Sequence, residues 1–86
     1  MDLGHVENGE FDRQFGARVR DLRGDAITQE QVASLGGFSV STVSKIERGL
    51  LGVNTRRLPD LARALGVSVA ELFTFEGARV RLTHED

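Results

Sequence analysis

Helix-start signals follow one another so closely between residues 27 and 72 that the chain has room for little except short helices joined by tight turns. Thr28-Gln29-Glu30-Gln31 is a capping box: the Thr28 hydroxyl can accept from the amide of Gln31, whose side chain reaches back to the amide of Thr28. Ser68-Val69-Ala70-Glu71 is a second box, and Ser39 and Asn54 are residues of the type that caps a helix. Each start is bracketed by an apolar pair at staple spacing: Ile27 with Val32, Phe38 with Val43, Val53 with Leu58, and Val67 with Leu72. Gly36-Gly37, Gly49 and Gly66 supply the stops. A second helix is therefore expected from Gln29 to about Leu35, a third after Ser39, a fourth after Asn54 and a short fifth running through Phe73. Val43, Ile46 and Leu50 form the inward edge of the third, and Leu58, Leu61, Ala62 and Leu65 the apolar stripe of the fourth. Pro59 falls about one turn into that fourth helix, where a missing backbone hydrogen bond is better tolerated than in a helix middle.

Upstream, Phe11, Phe15, Val19 and Leu22 recur at i, i+4, i+8 and i+11, one stripe on a first helix over residues 11–23 that Gly24-Asp25 breaks. The ends differ. Residues 1–10 show no periodicity and are expected to form a flexible acidic segment. In the tail, 74–86, residues 78–83 alternate polar and apolar as a short strand does. A lone strand has no partner in its own chain, so it would fray or pair across a dimer axis. The expected fold is all-α, a compact five-helix domain over residues 11–73.

Eighty-six residues make one domain, without space for a catalytic unit beside a binding unit. The absence of cysteine excludes a disulfide framework and any thiolate-held zinc or iron–sulfur site. His5 and His84 lie in the two ends with no third ligand, so no metal and no cofactor is expected. Ser41 and Ser44 have no His or Lys base at a plausible spacing, which argues against nucleophilic catalysis and against an enzyme. No apolar run approaches the length of a membrane span and no signal peptide opens the chain, so a cytoplasmic domain is expected. The net charge of −2 decides nothing about nucleic acid. Residues 1–12 hold four acids and no Lys or Arg, whereas residues 13–73 hold nine Lys and Arg against six acids.

The junction of the second and third helices carries the functional signal. Two helices crossing through a turn of a few residues need a small side chain where they touch, here Ala33, and a glycine in the turn, here Gly37. They also need β-branched filling between them, here Val43 and Ile46. With Phe15–Arg23, Thr28–Ala33, Gly37–Gly49 ending in Ile-Glu-Arg-Gly, and Leu61–Phe73 containing Ala-Leu-Gly-Val-Ser, residues 15–73 resemble the Cro/lambda-repressor type (XRE family) of helix-turn-helix domain. The resemblance implies a helix-turn-helix unit at about 29–48 whose third helix lies in the DNA major groove, in a two-fold homodimer on a palindromic operator. It implies a sequence-specific, double-stranded DNA-binding transcriptional regulator, a repressor of bacterial or phage origin.

Carried onto this sequence, the resemblance makes Val40, Ser41, Ser44 and Lys45 the base-contacting residues. Lys45 can donate to guanine O6 and N7, the two serines can donate or accept, and Val40 can touch a thymine methyl. Gln29, Thr42, Arg48, Asn54 and Arg56 match phosphate-contacting positions, which fix register without reading sequence. Glu47, opposite in sign to DNA, is read as structural, and the resemblance implies that it pairs with Arg23, while Arg56 and Arg57 are equally well read as phosphate contacts or solvated charge. The chain departs from the family in three places. The Gly24–Ile27 loop is short and lacks the usual glycine before the apolar residue. Leu35-Gly36 stands where the family has a polar residue then leucine, which predicts a distorted end to the second helix. Leu50-Leu51-Gly52-Val53 replaces a basic, polar stretch, weakening phosphate binding there and leaving Leu51 to be exposed. The competing reading is an antitoxin-like or anti-regulator module that binds a protein partner through residues 74–86; the acidic start, the strand-like tail and Leu50-Leu51 motivate it.

Overall fold

A computed structural model describes residues 3–75, as α1 (Leu3–Arg23), α2 (Gln29–Gly36), α3 (Val40–Glu47), a 3₁₀ turn at Thr55–Arg57, α4 (Leu58–Leu65) and α5 (Val69–Leu72). The expected strand at 78–83 lies outside the described residues, and among those described there is no strand. α1 packs on α3 and α5, α2 on α3 and α4, and α4 on α5. Val19, Val32, Leu61 and Leu72 are fully buried at the centre, with Phe15, Val43 and Ile46 beside them. Phe11, Phe15, Phe73 and Phe75 form an aromatic cluster where α1 meets the end of α5, with Phe15 and Phe73 5.2 Å apart between ring centroids.

Helices as short as α2 and α3, eight residues each, are marginal alone, so their ends and their packing must hold them. Both capping boxes form: Thr28 accepts from the Gln31 amide at 3.1 Å and Gln31 Oε1 accepts from the Thr28 amide at 2.8 Å, and Ser68 with Glu71 repeats the arrangement. Ser39 caps α3 by accepting from the Thr42 amide at 3.0 Å.

Four expectations are corrected. α1 begins at Leu3 rather than near residue 11. A helix already nucleated by a buried stripe extends at the cost of one residue's freedom per added hydrogen bond, so the added turns need no stripe of their own. Glu10 supports it by accepting from Arg13 and Gln14. The last turn of α2 is regular, not distorted: Gly36 is buried, and the Phe38 ring folds back over it, filling the space a larger side chain would occupy. Leu50 does not continue the inward edge of α3; the left-handed backbone at Gly49 (φ 76°) ends the helix and leaves Leu50 64% exposed. Asn54 caps the 3₁₀ turn, accepting from the Arg56 amide at 2.9 Å, and α4 starts a turn later with Pro59 in its first two positions, where no hydrogen bond is lost.

Two features fix α3 against α1. The first is a backbone contact: a methyl carbon on Gly16 would collide with the carbonyl oxygen of Ile46 and lie 2.8 Å from that of Glu47. One on Gly49 would lie 2.7 Å from Arg13 Cα, so the last turn of α3 rests directly on α1. The second is an ion pair. Arg23 donates from Nε to Glu47 Oε2 at 2.6 Å and from Nη2 to Oε1 at 3.0 Å, the planar fork matching the carboxylate. Arg23 Nη1 also donates to the Ile27 carbonyl at 3.0 Å, and Gln29 Nε2 donates to Glu47 Oε1 at 3.0 Å. One carboxylate thus joins the end of α1, the start of α2 and the end of α3. Burial opposes ionisation of Glu47, but the hydrogen bonds from Arg23 and Gln29 outweigh it and hold the carboxyl below its ordinary value of 4.5.

Two outcomes follow from these contacts. Gly16→Ala should lower stability by about 2–3 kcal/mol, because backbone rather than a flexible side chain must yield, and thermal unfolding should shift down by roughly 10–20 °C; an unchanged midpoint would contradict the contact. Glu47→Gln leaves Arg23 without its counter-charge and should cost about 3 kcal/mol at neutral pH. A carboxyl whose folded value is depressed stabilises fully above its unfolded value near 4.5 and loses that contribution as acid protonates it in the fold. The gap between wild type and Glu47→Gln, read from denaturant titrations, should therefore narrow as pH falls below about 4.5; a gap independent of pH would show that the pair contributes nothing through its charge.

Candidate nucleic-acid interface

Burying Val43 and Ile46, each 1% exposed, decides what α3 offers on its other side. Positions 40, 41, 44 and 45 stand at i, i+1, i+4 and i+5, a single stripe opposite the buried one. Val40, Ser41 and Lys45 are exposed and Ser44 is half-buried, so the four residues expected to meet bases share one face. Val40 is 40% exposed, an apolar contact surface on an otherwise polar stripe.

The expected phosphate contacts divide. Thr42 and Asn54 come together at the edges of a cleft of about 360 Å³ between the α2–α3 turn and the loop after α3. The Thr42 hydroxyl accepts from Ser39 at 2.9 Å, which leaves its own proton to donate. Asn54 uses Oδ1 for its cap, which leaves its Nδ2 as the donor group. Arg48 is exposed at the end of α3 with a long contact of 3.4 Å from Nε to the Ser44 carbonyl, and Arg56 is exposed on the 3₁₀ turn. Gln29 stands apart: it is half-buried and its side-chain amide is turned inward to Glu47.

The electrostatics agree with this division. Glu47, the acid on α3, is neutralised by Arg23 and its side chain is 4% exposed. Asp60 accepts from Arg57 at 2.9 Å and from Arg63 at 3.1 Å, and those two hydrogen bonds, Arg57 first, hold its carboxyl below the usual range. What remains exposed at the α3 face and its flanks includes the cations Lys45, Arg48 and Arg56.

Sequence reasoning read Arg57 as a phosphate contact or a solvated charge and missed the contacts it makes within the fold. Its Nη2 donates to the Gly36 carbonyl at 2.7 Å and to that of Gly37 at 3.2 Å, and its guanidinium carbon lies 4.3 Å from the centroid of the Phe38 ring. The signal was split across the sequence: a helix ending in Gly36-Gly37 presents carbonyls that need a donor, but nothing local says that it arrives from residue 57.

No helix among the described residues is long and apolar enough to cross a membrane. A family model described as a helix-turn-helix domain matches residues 14–75. The chain is 45% identical over 74 residues to the uncharacterized HTH-type transcriptional regulator y4dJ of Sinorhizobium fredii, covering 86% of this chain and 87% of that protein. Among solved structures it is similar to the restriction-modification controller protein C.AhdI from Aeromonas hydrophila, with a TM-score of 0.71 and 37% identity over 74% of this chain and 98% of that one. It is also similar to the clp gene regulator ClgR from C. glutamicum, with a TM-score of 0.69 and 29% identity over 83% of this chain and 91% of that one. With the buried and outward faces of α3 arranged as described, the chain belongs to the helix-turn-helix family of DNA-binding transcriptional regulators, in its XRE (Cro/lambda-repressor) branch.

Proposed function

We propose that this protein is a repressor that binds, as a homodimer, a palindromic operator, with α3 of each protomer in successive major grooves. The observation that carries the reading is the outward stripe of α3, in which Val40, Ser41, Ser44 and Lys45 share one face while Val43 and Ile46 anchor the other. Regulators built on this unit read two half-sites one helical turn apart, so a two-fold protein matches a two-fold operator. The likeness to a restriction-modification controller protein over nearly that chain's whole length supports a small regulator of this type.

In this reading Lys45 donates to guanine O6 and N7, Ser41 and Ser44 take polar base edges, and Val40 packs on a thymine methyl. Thr42, Asn54, Arg48 and Arg56 meet phosphates, and Gln29 contributes through the start of α2, where backbone amides and the helix dipole favour an anion. Selection of bound duplexes from a randomised pool at about 150 mM salt should enrich an inverted repeat with half-sites about 10 base pairs apart, centre to centre. Lys45→Ala should change the preferred base at one position of each half-site and cost about 1–3 kcal/mol there. Arg48→Ala should weaken all sequences alike and reduce the slope of log affinity against log salt by about one per half-site. Enrichment of no sequence, or an unchanged preference in Lys45→Ala, would overturn the reading; in the first case a protein partner bound through residues 74–86 becomes the function to pursue.

A further inference from the structure

We infer that Arg57 is a positioning residue of the DNA-reading unit, locking the α2–α3 turn from the side of α4 and so setting how α3 enters the groove. The inference deepens the DNA-reading role proposed above and rests on it. Arg57 closes the 3₁₀ turn that leads into α4, twenty residues beyond the turn it holds. Its Nη2 reaches the carbonyls of Gly36 and Gly37, and its Nε is held by Asp60 at 2.9 Å, so the guanidinium is oriented from both ends. The plane it occupies lies over Phe38, and Phe38 in turn covers Gly36, where a methyl carbon would stand 2.7 Å from the ring.

Physical chemistry gives each contact a reason. The last carbonyls of a helix have no intrahelical donor and carry the negative end of its dipole, so a cation that donates hydrogen bonds to them is favoured twice. A guanidinium can do this while stacking on an aromatic face; an ammonium has no plane to stack and no fork to bridge two carbonyls. Because Ser39, the cap of α3, directly follows Phe38, the orientation of the turn is passed to the start of the recognition helix. Arg57 also lines the cleft that Thr42 and Asn54 share, so direct phosphate binding is the rival role, and it makes different predictions.

Arg57→Lys and Arg57→Gln separate the two, with wild-type protein and its selected duplex as the control. A positioning residue predicts that Lys does not rescue. Both variants should bind the selected duplex about tenfold more weakly, with a lower ratio of selected to random affinity and a salt slope equal to that of wild type. In DNA-free protein, both should speed hydrogen exchange of the Phe38 amide, which donates to the Ala33 carbonyl at 2.9 Å. Phe38→Leu, which removes the face beneath the guanidinium together with part of the cover over Gly36, should move both readouts in the same direction. Full rescue by Lys, with a salt slope reduced by about one per half-site in Arg57→Gln alone, would assign Arg57 to phosphate and overturn the inference. Unaltered exchange at Phe38 would overturn it as well. A wild type without sequence preference would instead defeat the proposed function, and the exchange measurement would still decide whether Arg57 holds the turn.

Discussion

Everything at the candidate interface depends on how α3 is seated, and its seat is the contact of its last turn with α1. Gly16 lets the two backbones meet, and Glu47, in the same turn, receives Arg23 from α1 and Gln29 from α2. A buried carboxylate of this kind is weak evidence for stability, since desolvation offsets much of its attraction. Its geometric consequence is firmer. Three helices converge on two oxygens, and a slip of α3 along or about its axis would leave a charge buried without a partner. The outward stripe of the helix inherits its orientation from that constraint.

A second consequence is a division of labour among polar groups. Ser39, Thr28 and Ser68 are spent on caps, Asp60 on Arg57 and Arg63, and Glu47 on Arg23. Asn54 and Thr42 serve structure with one lone pair and keep a donor in reserve. Glu47 and Asp60 are therefore matched by arginines, which lets a chain of net charge −2 present Lys45, Arg48 and Arg56 without an opposing carboxylate on the same face of α3. Net charge is a property of the whole surface; binding responds to the charge within about one Debye length, ~8–10 Å, of the ligand.

The sequence displays this protein's helices unusually well because capping is local. A box spans four residues and a staple six, so Thr28–Gln31, Ser68–Glu71 and the apolar pairs around them can be read without knowing the fold. Val40, Ser41, Ser44 and Lys45 came from the resemblance, and they share one outward face because a short helix with two buried positions has only one opposite face. Local reading failed where a contact joins distant segments. Gly16 reads as an indifferent helix residue until α3 is laid across it, thirty residues later. Arg57 reads as a phosphate contact or a surface charge until the end of α2 is placed beneath it. Leu50 fits the apolar period of α3, but the left-handed turn at Gly49 cancels the period. Asn54 is a true cap, of a 3₁₀ turn rather than of α4, because the side-chain signature of a cap does not specify how many residues its helix retains.

The central claim is that the outward face of α3, with its flanks at Thr42 and Asn54–Arg56, is where DNA binds. Its most direct test is amide chemical-shift mapping during titration of the protein with an enriched duplex. The account predicts that the largest changes fall at residues 40–45, 48 and 54–56, while α5 and the aromatic cluster around Phe15 and Phe73 stay nearly unmoved. Changes concentrated on α5 or on the first half of α1, with the α3 amides unaffected, would contradict it.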